Sequence, residues 1–461
     1  MIKGFINLRD ENYFFYLDHD MLTLTSINRE NQNYIDIFFE VLDKKEETPN
    51  VMEGNIAGAG NTILFFIKRR IYKSMGEYKF QILSYIEYDN EIKLIERLSM
   101  QCKELDAFYS IRKAYDFEMF HPTGEVNLRV NSLDSSRDDL SFLINGKSIR
   151  ATLSISRNVS SSSNSPVTIN STIAFTFEKS NDYSFFMKIV NLIKDFLKIV
   201  TYRRNISIEQ VILKEKNEEG TYRNVGKLVF PEEQEFERES DKLINQRMID
   251  FSILKQHTAD LFQLLASGEI YKDHIPQNSK DKNIITPARF ILITAAFEWE
   301  FRSSYGNVKA AENSSYKKIQ TDIMNHIDVL IKTNSGKKKK YARTFQKIVS
   351  NSGMSLSEKI LKVLGDAEGI LNKYIDYLYS INEIEGVKHS DIAERLQIQR
   401  NNYAHGNIDK DLDFLVILDL LVLEWLIYVL VLRKAKMSDA QIDHAINKLF
   451  ARNFSLEPLK E

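Results

Sequence analysis

A single cysteine, Cys102, is all the thiol chemistry this 461-residue chain carries. It excludes an intramolecular disulfide framework and a cysteine-rich zinc site, and it fits a reducing, cytoplasmic setting. An excess of either charge is also missing, with 62 Lys and Arg against 64 Asp and Glu and a formal net charge of −2. Such a chain has no global attraction for nucleic acid or for an anionic membrane, so any polyanion site has to be a local patch. Histidine occurs eight times. His19, His121, His257, His274, His326, His389 and His444 are too scattered for metal-ligand spacing and read as structural or exposed. No metal and no cofactor is implied. The first ten residues lack the apolar core and small-residue cleavage site of a signal peptide. The one run of bilayer length, Phe414 to Leu432, holds Asp419 and Glu424 near its middle. Each costs roughly 2.5–3.5 kcal/mol at the centre of a helix in lipid, which favours a buried helix and no membrane span.

What is present is ordinary globular composition, 43% hydrophobic and 27% charged, over a length that calls for two or three cores. The first half reads as strands. Tyr78, Phe80 and Ile82 alternate with Lys79 and Gln81, and Val167, Ile169, Ile173, Phe175 and Phe177 keep the same period of two. Asn145-Gly146 between two such runs predicts a type I′ hairpin, because both central residues need positive φ. Gly220 marks a similar turn. The small-residue run Ala57 to Asn61 also reads as a turn, since no Lys-Ser/Thr pair follows it to make a phosphate loop. One helix, Tyr183 to Val200 behind Asn181-Asp182, interrupts the strands.

The charged stretch Pro231 to Lys242 predicts a domain boundary, with a helix after it from about Gln246 to Leu265. From there the pattern is helical. Thr286-Pro287 is an N-cap with proline at the first helical position, and Ser355-Leu356-Ser357-Glu358 and Ser438-Asp439-Ala440-Gln441 are capping boxes. Further helices fit Val308 to Lys332, Ala367 to Asn382, Ser390 to Ala404 and Leu412 to Ala435. Trp299 and Trp425 read as core anchors. The expected class is therefore α+β: a β-rich domain over 1–231, a charged linker and connecting helix over 232–282, and an all-α bundle over 283–455. Formal charge divides about −5 before residue 280 and +3 after it, a weak bias toward the helical half as the partner of a polyanion.

The chemistry-bearing stretch is Gln399-Arg400-Asn401-Asn402-Tyr403-Ala404-His405-Gly406. Asn401 and His405 are i and i+4 and share a helix face, and Gly406 ends the helix directly after the histidine. His405 then sits at the negative end of the helix dipole, a setting suited to an imidazole that cycles a proton. Arg400 lies roughly 140° away on an ideal helix, so the two converge only through a distorted turn or across a two-fold axis. Together these residues suit phosphodiester transesterification: His405 moves protons at the ribose 2′-hydroxyl or the leaving 5′-oxygen, Arg400 neutralises phosphoryl charge, and Asn401 orients by hydrogen bonds. RNA is the natural substrate, since DNA lacks the 2′-hydroxyl. The bland reading is a surface arginine and a histidine cap.

An all-α C-terminal domain carrying Arg-Asn, three residues and His, with a long apolar helix directly after it, resembles the HEPN superfamily of ribonucleases and nucleotide-binding domains over about Asn283 to Asn453. The β-rich region joined to it resembles the organisation of the ApeA-like branch of bacterial anti-phage proteins, without a diagnostic motif. The resemblance implies a metal-independent endoribonuclease, active as a homodimer, with Arg400, Asn401 and His405 catalytic and Tyr403 within the motif as a supporting residue. It also implies a supporting acidic residue on an early helix, for which Glu298 is the candidate beside Glu300, and a phage-derived trigger sensed by the N-terminal domain.

Lys337, Lys338, Lys339 and Lys340 read as a basic loop between helices, able to hold RNA phosphates or simply to be solvated. Tyr341 and Phe345 follow at helical spacing, which suits core packing more often than base stacking. The Ser-rich tract Ser154 to Ser165 reads as a strand connection. Two other function classes stay open: a non-catalytic HEPN module that binds RNA or a nucleotide or only dimerises, and a ligand- or carbohydrate-binding sheet domain for which the helices are an oligomerisation platform.

Overall fold

The structure is a computed structural model that describes residues 1–8, 11–27, 49–74, 77–120, 123–131, 137–159, 167–231, 237–306, 315–350, 354–407 and 412–459. His121, Ser160 to Ser163, residues 232–236 of the charged stretch and 308–314 of the helix predicted from Val308 lie outside them. The protein is α+β and divides into two compact units, Met1–Ser267 and Gly268–Glu461.

In the first unit six strands close on themselves: β1 (Ile2–Leu8), β2 (Glu11–Asp18), β3 (Met21–Ser26), β4 (Val51–Ile56), β5 (Thr62–Ser74) and β6 (Glu77–Tyr88). The order β6-β3-β2-β1-β4-β5 returns to β6, and every pairing is antiparallel. The period-two apolar positions explain the closure. Tyr13, Phe15 and Leu17 of β2, Leu22 and Leu24 of β3, and Tyr78, Phe80 and Ile82 of β6 all enter one core with Phe65, and a ring of strands buries that face without leaving an edge.

Strand β6 is long enough to serve two sheets. Its first half pairs with β3 and its end pairs with β14 (Tyr222–Val229). At that junction a Cβ on Gly226 would stand 2.5 Å from the Glu87 carbonyl oxygen, so only glycine permits the approach. An open sheet continues from β14 through β13 (Gln210–Lys216), β7 (Ile95–Met100), β12 (Val167–Ser180) and β11 (Lys147–Val159) to β10 (Arg137–Ile144). The β10–β11 hairpin turns at Asn145 (φ 49°) and Gly146 (φ 79°), the type I′ geometry that Asn-Gly predicts. A separate hairpin joins β8 (Tyr115–Phe120) to β9 (Glu125–Val130).

Between β7 and β8 lies α1 (Lys103–Phe108). Helix α2 (Tyr183–Thr201) is capped by Asp182, whose carboxylate accepts from the Ser184 and Phe185 amides. It presses its apolar face on the open sheet, with Phe185 and Phe186 against Phe177. The single connecting helix predicted after the charged stretch is instead three short ones: α3 (Asp241–Gln246), α4 (Phe251–Leu254) and α5 (His257–Ala266). Asp250 caps α4, and Lys255 at φ 44° breaks it from α5. These helices are no linker. Phe262 of α5 stacks on Phe142 and Phe196 at centroid distances of 5.1 and 4.5 Å, which sets the divide at Ser267/Gly268 and leaves 268–282 with the second unit.

Asp106 of α1 accepts a 2.6 Å hydrogen bond from the Ser171 amide. Burial outweighs that bond and pushes its carboxyl up to about 6. A folded-state value above the unfolded one means stability that is present below about pH 4 and lost as pH rises through about 6. Asp106→Asn is therefore expected to protect β12 more than wild type does at pH 7, with the difference closing by pH 4. Hydrogen exchange of the 167–180 segment reads it.

The second unit consists of α6 (Pro287–Tyr305), α7 (Ser315–Thr333), α8 (Gly336–Ser350), α9 (Leu356–Asp366), α10 (Glu368–Ser380), α11 (His389–Ala404), α12 (Phe414–Lys434) and α13 (Asp439–Leu449). Thr286 caps α6, and both predicted capping boxes form, at α9 and α13. Helix α12 is long and apolar enough to cross a membrane, and 83% of its most apolar stretch is buried in the protein. Trp425 is fully buried there, between Tyr374 and Phe450. Trp299 is not a core anchor: the residue is 39% exposed, and its ring lies under the Arg302 guanidinium, 5.2 Å away.

Lys337, Lys338, Lys339 and Lys340 form no loop. They occupy the opening turn of α8, because four strong helix formers follow Gly336 without a breaker. Tyr341 and Phe345 are 61% and 59% exposed, so the core reading of these two rings does not hold.

Candidate active site

The carboxylates inside α12 account for how the site is held. Asp419, fully buried, takes two hydrogen bonds from Arg395 of α11, Nε to Oδ2 at 2.7 Å and Nη2 to Oδ1 at 2.8 Å, and a third from the Tyr379 hydroxyl. Glu424 receives Arg289 Nη2 of α6 at 2.9 Å. Glu300 of α6 pairs with Lys434 at 2.5 Å and accepts from the Tyr271 amide. These pairs lock α6 and α11 to one central helix in a single register, since a one-turn slip would leave a charge buried alone.

On this frame α11 presents the motif at its C-terminal end. Tyr403 is buried with its ring edge-on to Phe290 of α6 at 5.5 Å. That packing anchors the last turn and makes Tyr403 a packing residue of the site. The helix then stops in a Schellman turn. The Asn407 amide donates to the Asn402 carbonyl at 3.0 Å and the Gly406 amide to the Tyr403 carbonyl at 3.1 Å, with Gly406 at φ 82°. His405 is the C-cap residue and its side chain is exposed, as is that of Asn401 one turn earlier. Gly406→Ala is expected to cost roughly 1–2 kcal/mol, since a Cβ there enters the left-handed region. A fall in the melting temperature of the helical unit reads it, and an unchanged melt would show that the turn does not carry the strain.

Arg400 leaves α11 toward α6, where Nη2 stands 3.5 Å from Glu298 Oε2. The other oxygen of Glu298 pairs with Lys359 Nζ of α9 at 3.3 Å. The structure thus joins two residues singled out in the sequence, Arg400 and Glu298, while Glu300 is paired with Lys434. Lys359 is an addition with no sequence signal: a lysine on an amphipathic helix is unremarkable until the fold puts it beside Glu298. Among the described residues no hydrogen bond or ion pair joins the His405 side chain to Arg400 or Asn401, and none joins Lys337 to Lys340 to this group. The His405, Asn401 and Arg400 side chains are all at least partly open to solvent. Chemically the set offers an imidazole, an amide and a guanidinium whose carboxylate partner holds it in place. Among the described residues no group of three or more His, Cys, Asp or Glu could hold a metal ion.

In the first unit the polar face of the open sheet forms a cleft of about 710 Å³. It is lined by Ser99, Ser154, Thr172 and Asn224 on neighbouring strands together with charged side chains that include Asp106, Lys214 and Arg238.

No family model, no curated protein and no solved structure matches the chain.

Proposed function

We propose that this protein is a metal-independent endoribonuclease of the HEPN kind, cytoplasmic and active as a homodimer, that cleaves RNA in defence against phage infection. The carrying observation is that Arg400, seated by Glu298, and an exposed His405, fixed by a Schellman turn, stand at the end of one helix with Asn401 beside them. In this reading His405 takes the proton of the ribose 2′-hydroxyl as its oxygen attacks phosphorus. The P–O5′ bond breaks as the protonated imidazole returns that proton to the leaving 5′-oxygen, giving a 2′,3′-cyclic phosphate and a 5′-hydroxyl and restoring neutral His405. Arg400 bears the charge on the phosphoryl oxygens and Asn401 orients one of them. A symmetry-related α11 supplies the second half of a composite cleft, because positions five apart lie roughly 140° apart on an ideal helix and no hydrogen bond or ion pair joins the His405 side chain to Arg400 among the described residues. The polar cleft of the first unit is the place for a trigger in this scheme.

The test is incubation of the full chain with total RNA in the presence of EDTA, followed by analysis of the ends. Fragments bearing 2′,3′-cyclic phosphate support the reading; intact RNA, or fragments with 3′-hydroxyls, sinks it. The alternative, a non-catalytic binding or dimerisation module, draws on the Arg400–Glu298 pair, which occupies the guanidinium within one chain. It predicts RNA binding with no product.

A further inference from the structure

We infer that the α7–α8 hairpin is a capture arm for single-stranded RNA, separate from the cleavage residues, with Tyr341 and Phe345 as stacking platforms. The inference rests on the ribonuclease reading only for the identity of the polymer. Helix α8 carries Lys337, Lys338, Lys339, Lys340, Arg343 and Lys347 and no acidic residue. Four lysines in a first turn oppose the helix dipole, so the electrostatics of the helix end does not explain them. Among the described residues no carboxylate pairs with any of those four. At 100° per residue, Lys337, Lys338, Tyr341 and Phe345 fall within a sector of about 100°, and the two rings are about 6 Å apart along the axis. Both rings are more than half exposed although burial of either would be favourable.

A cationic strip with two bare rings in it has the complementarity of a single strand, whose phosphates meet the lysines while unpaired bases stack on the aromatics. A duplex keeps its bases inside the helix and offers only the phosphates. An anionic bilayer fits less well. The exposed aliphatics Ile319, Ile323, Val329 and Leu330 lie on α7, and the exposed carboxylate of Asp322 flanks the first two, so a membrane that took this face would press against a negative charge.

The experiment is fluorescence anisotropy on the full chain with a labelled 16-nucleotide 2′-O-methyl oligouridylate, which has no 2′-hydroxyl to attack, against a 2′-O-methyl duplex of the same length. The single strand is expected to bind more tightly. Removing each ring, in Tyr341→Ala and Phe345→Ala, is expected to weaken it about 5- to 150-fold, with the duplex little changed. Tyr341→Phe keeps the affinity. Changing the four lysines to Gln lowers the slope of log K against log salt by roughly 0.7 for each phosphate that is no longer neutralised. Equal affinity for single strand and duplex, alanine variants that bind like wild type, or flotation with phosphatidylserine vesicles in place of RNA binding would each overturn the inference. Cleavage with no effect of the two rings defeats the capture arm alone. Ring-dependent binding with no cleavage defeats the nuclease assignment alone.

Discussion

His405→Ala chains are expected to fold as wild type does and to cleave RNA about 10²–10⁴-fold more slowly, the span that loss of a general acid or base covers. Arg400→Ala is expected to lose about 10²–10³-fold, as for removal of one charge-stabilising donor. Folding survives in both for a structural reason. The His405 side chain is exposed, and the Arg400–Glu298 pair, half open to solvent at 3.5 Å, contributes about 0–1 kcal/mol. Both tryptophans, Trp299 and Trp425, lie in the helical unit, so tryptophan fluorescence during unfolding reports that unit selectively. A variant that loses activity and melting temperature together would point to structural damage and not to chemistry. Mixing the two variants goes further. If each cleft takes Arg400 from one protomer and His405 from the other, every mixed dimer holds one intact site, and co-expression restores cleavage that neither variant has alone. No recovery means that both groups act within one chain, and the two-fold scheme fails.

The second large effect is on stability. Arg395→Ala should destabilise the helical unit by about 3–5 kcal/mol, because the Asp419 carboxylate then stays buried with only the Tyr379 hydroxyl as partner. The signature is a lower urea midpoint by tryptophan fluorescence. Replacing the whole group by apolar residues of similar size, as Arg395→Met with Asp419→Leu and Tyr379→Phe, is expected to recover most of that loss. A single Arg395→Ala change with no loss would mean that the pair does not hold α11 on α12. Recovery of stability without recovery of RNA cleavage would assign the cluster to the alignment of α11, and with it to the placement of Arg400.

What could be read from the residues alone was whatever neighbours in the chain decide. The turn at Asn145-Gly146 needs only two residues that tolerate positive φ. The caps at Asp182, Thr286, Ser355 and Ser438 need a side chain two or three positions from an unpaired amide. The alternation of Tyr78, Phe80 and Ile82 needs a pleat, and Gly406 after His405 needs a helix end. Each is a matter of a few consecutive φ/ψ angles, so the α+β order and the end of the motif helix were legible. The error over the connecting segment was of the same local kind, with Asp250 capping a new helix where one continuous helix had been predicted.

The tertiary structure decided everything that joins residues distant in the chain. That Glu298 and not Glu300 meets Arg400, that Lys359 joins them, and that Asp419 finds Arg395 depend on which helix faces pack, and side chains four positions apart cannot specify that. Closure of the six strands likewise follows from β6 pairing on both edges. Exposure followed the same rule: Tyr341 and Phe345 have the spacing of buried residues, yet burial needs a surface to pack against, and both stay more than half exposed, while Trp299 is covered only in part, by Arg302 and Tyr271. Sequence determined the local geometry and the chemical groups available, while packing determined which groups meet, because burial free energy is a property of contacts and not of order along the chain.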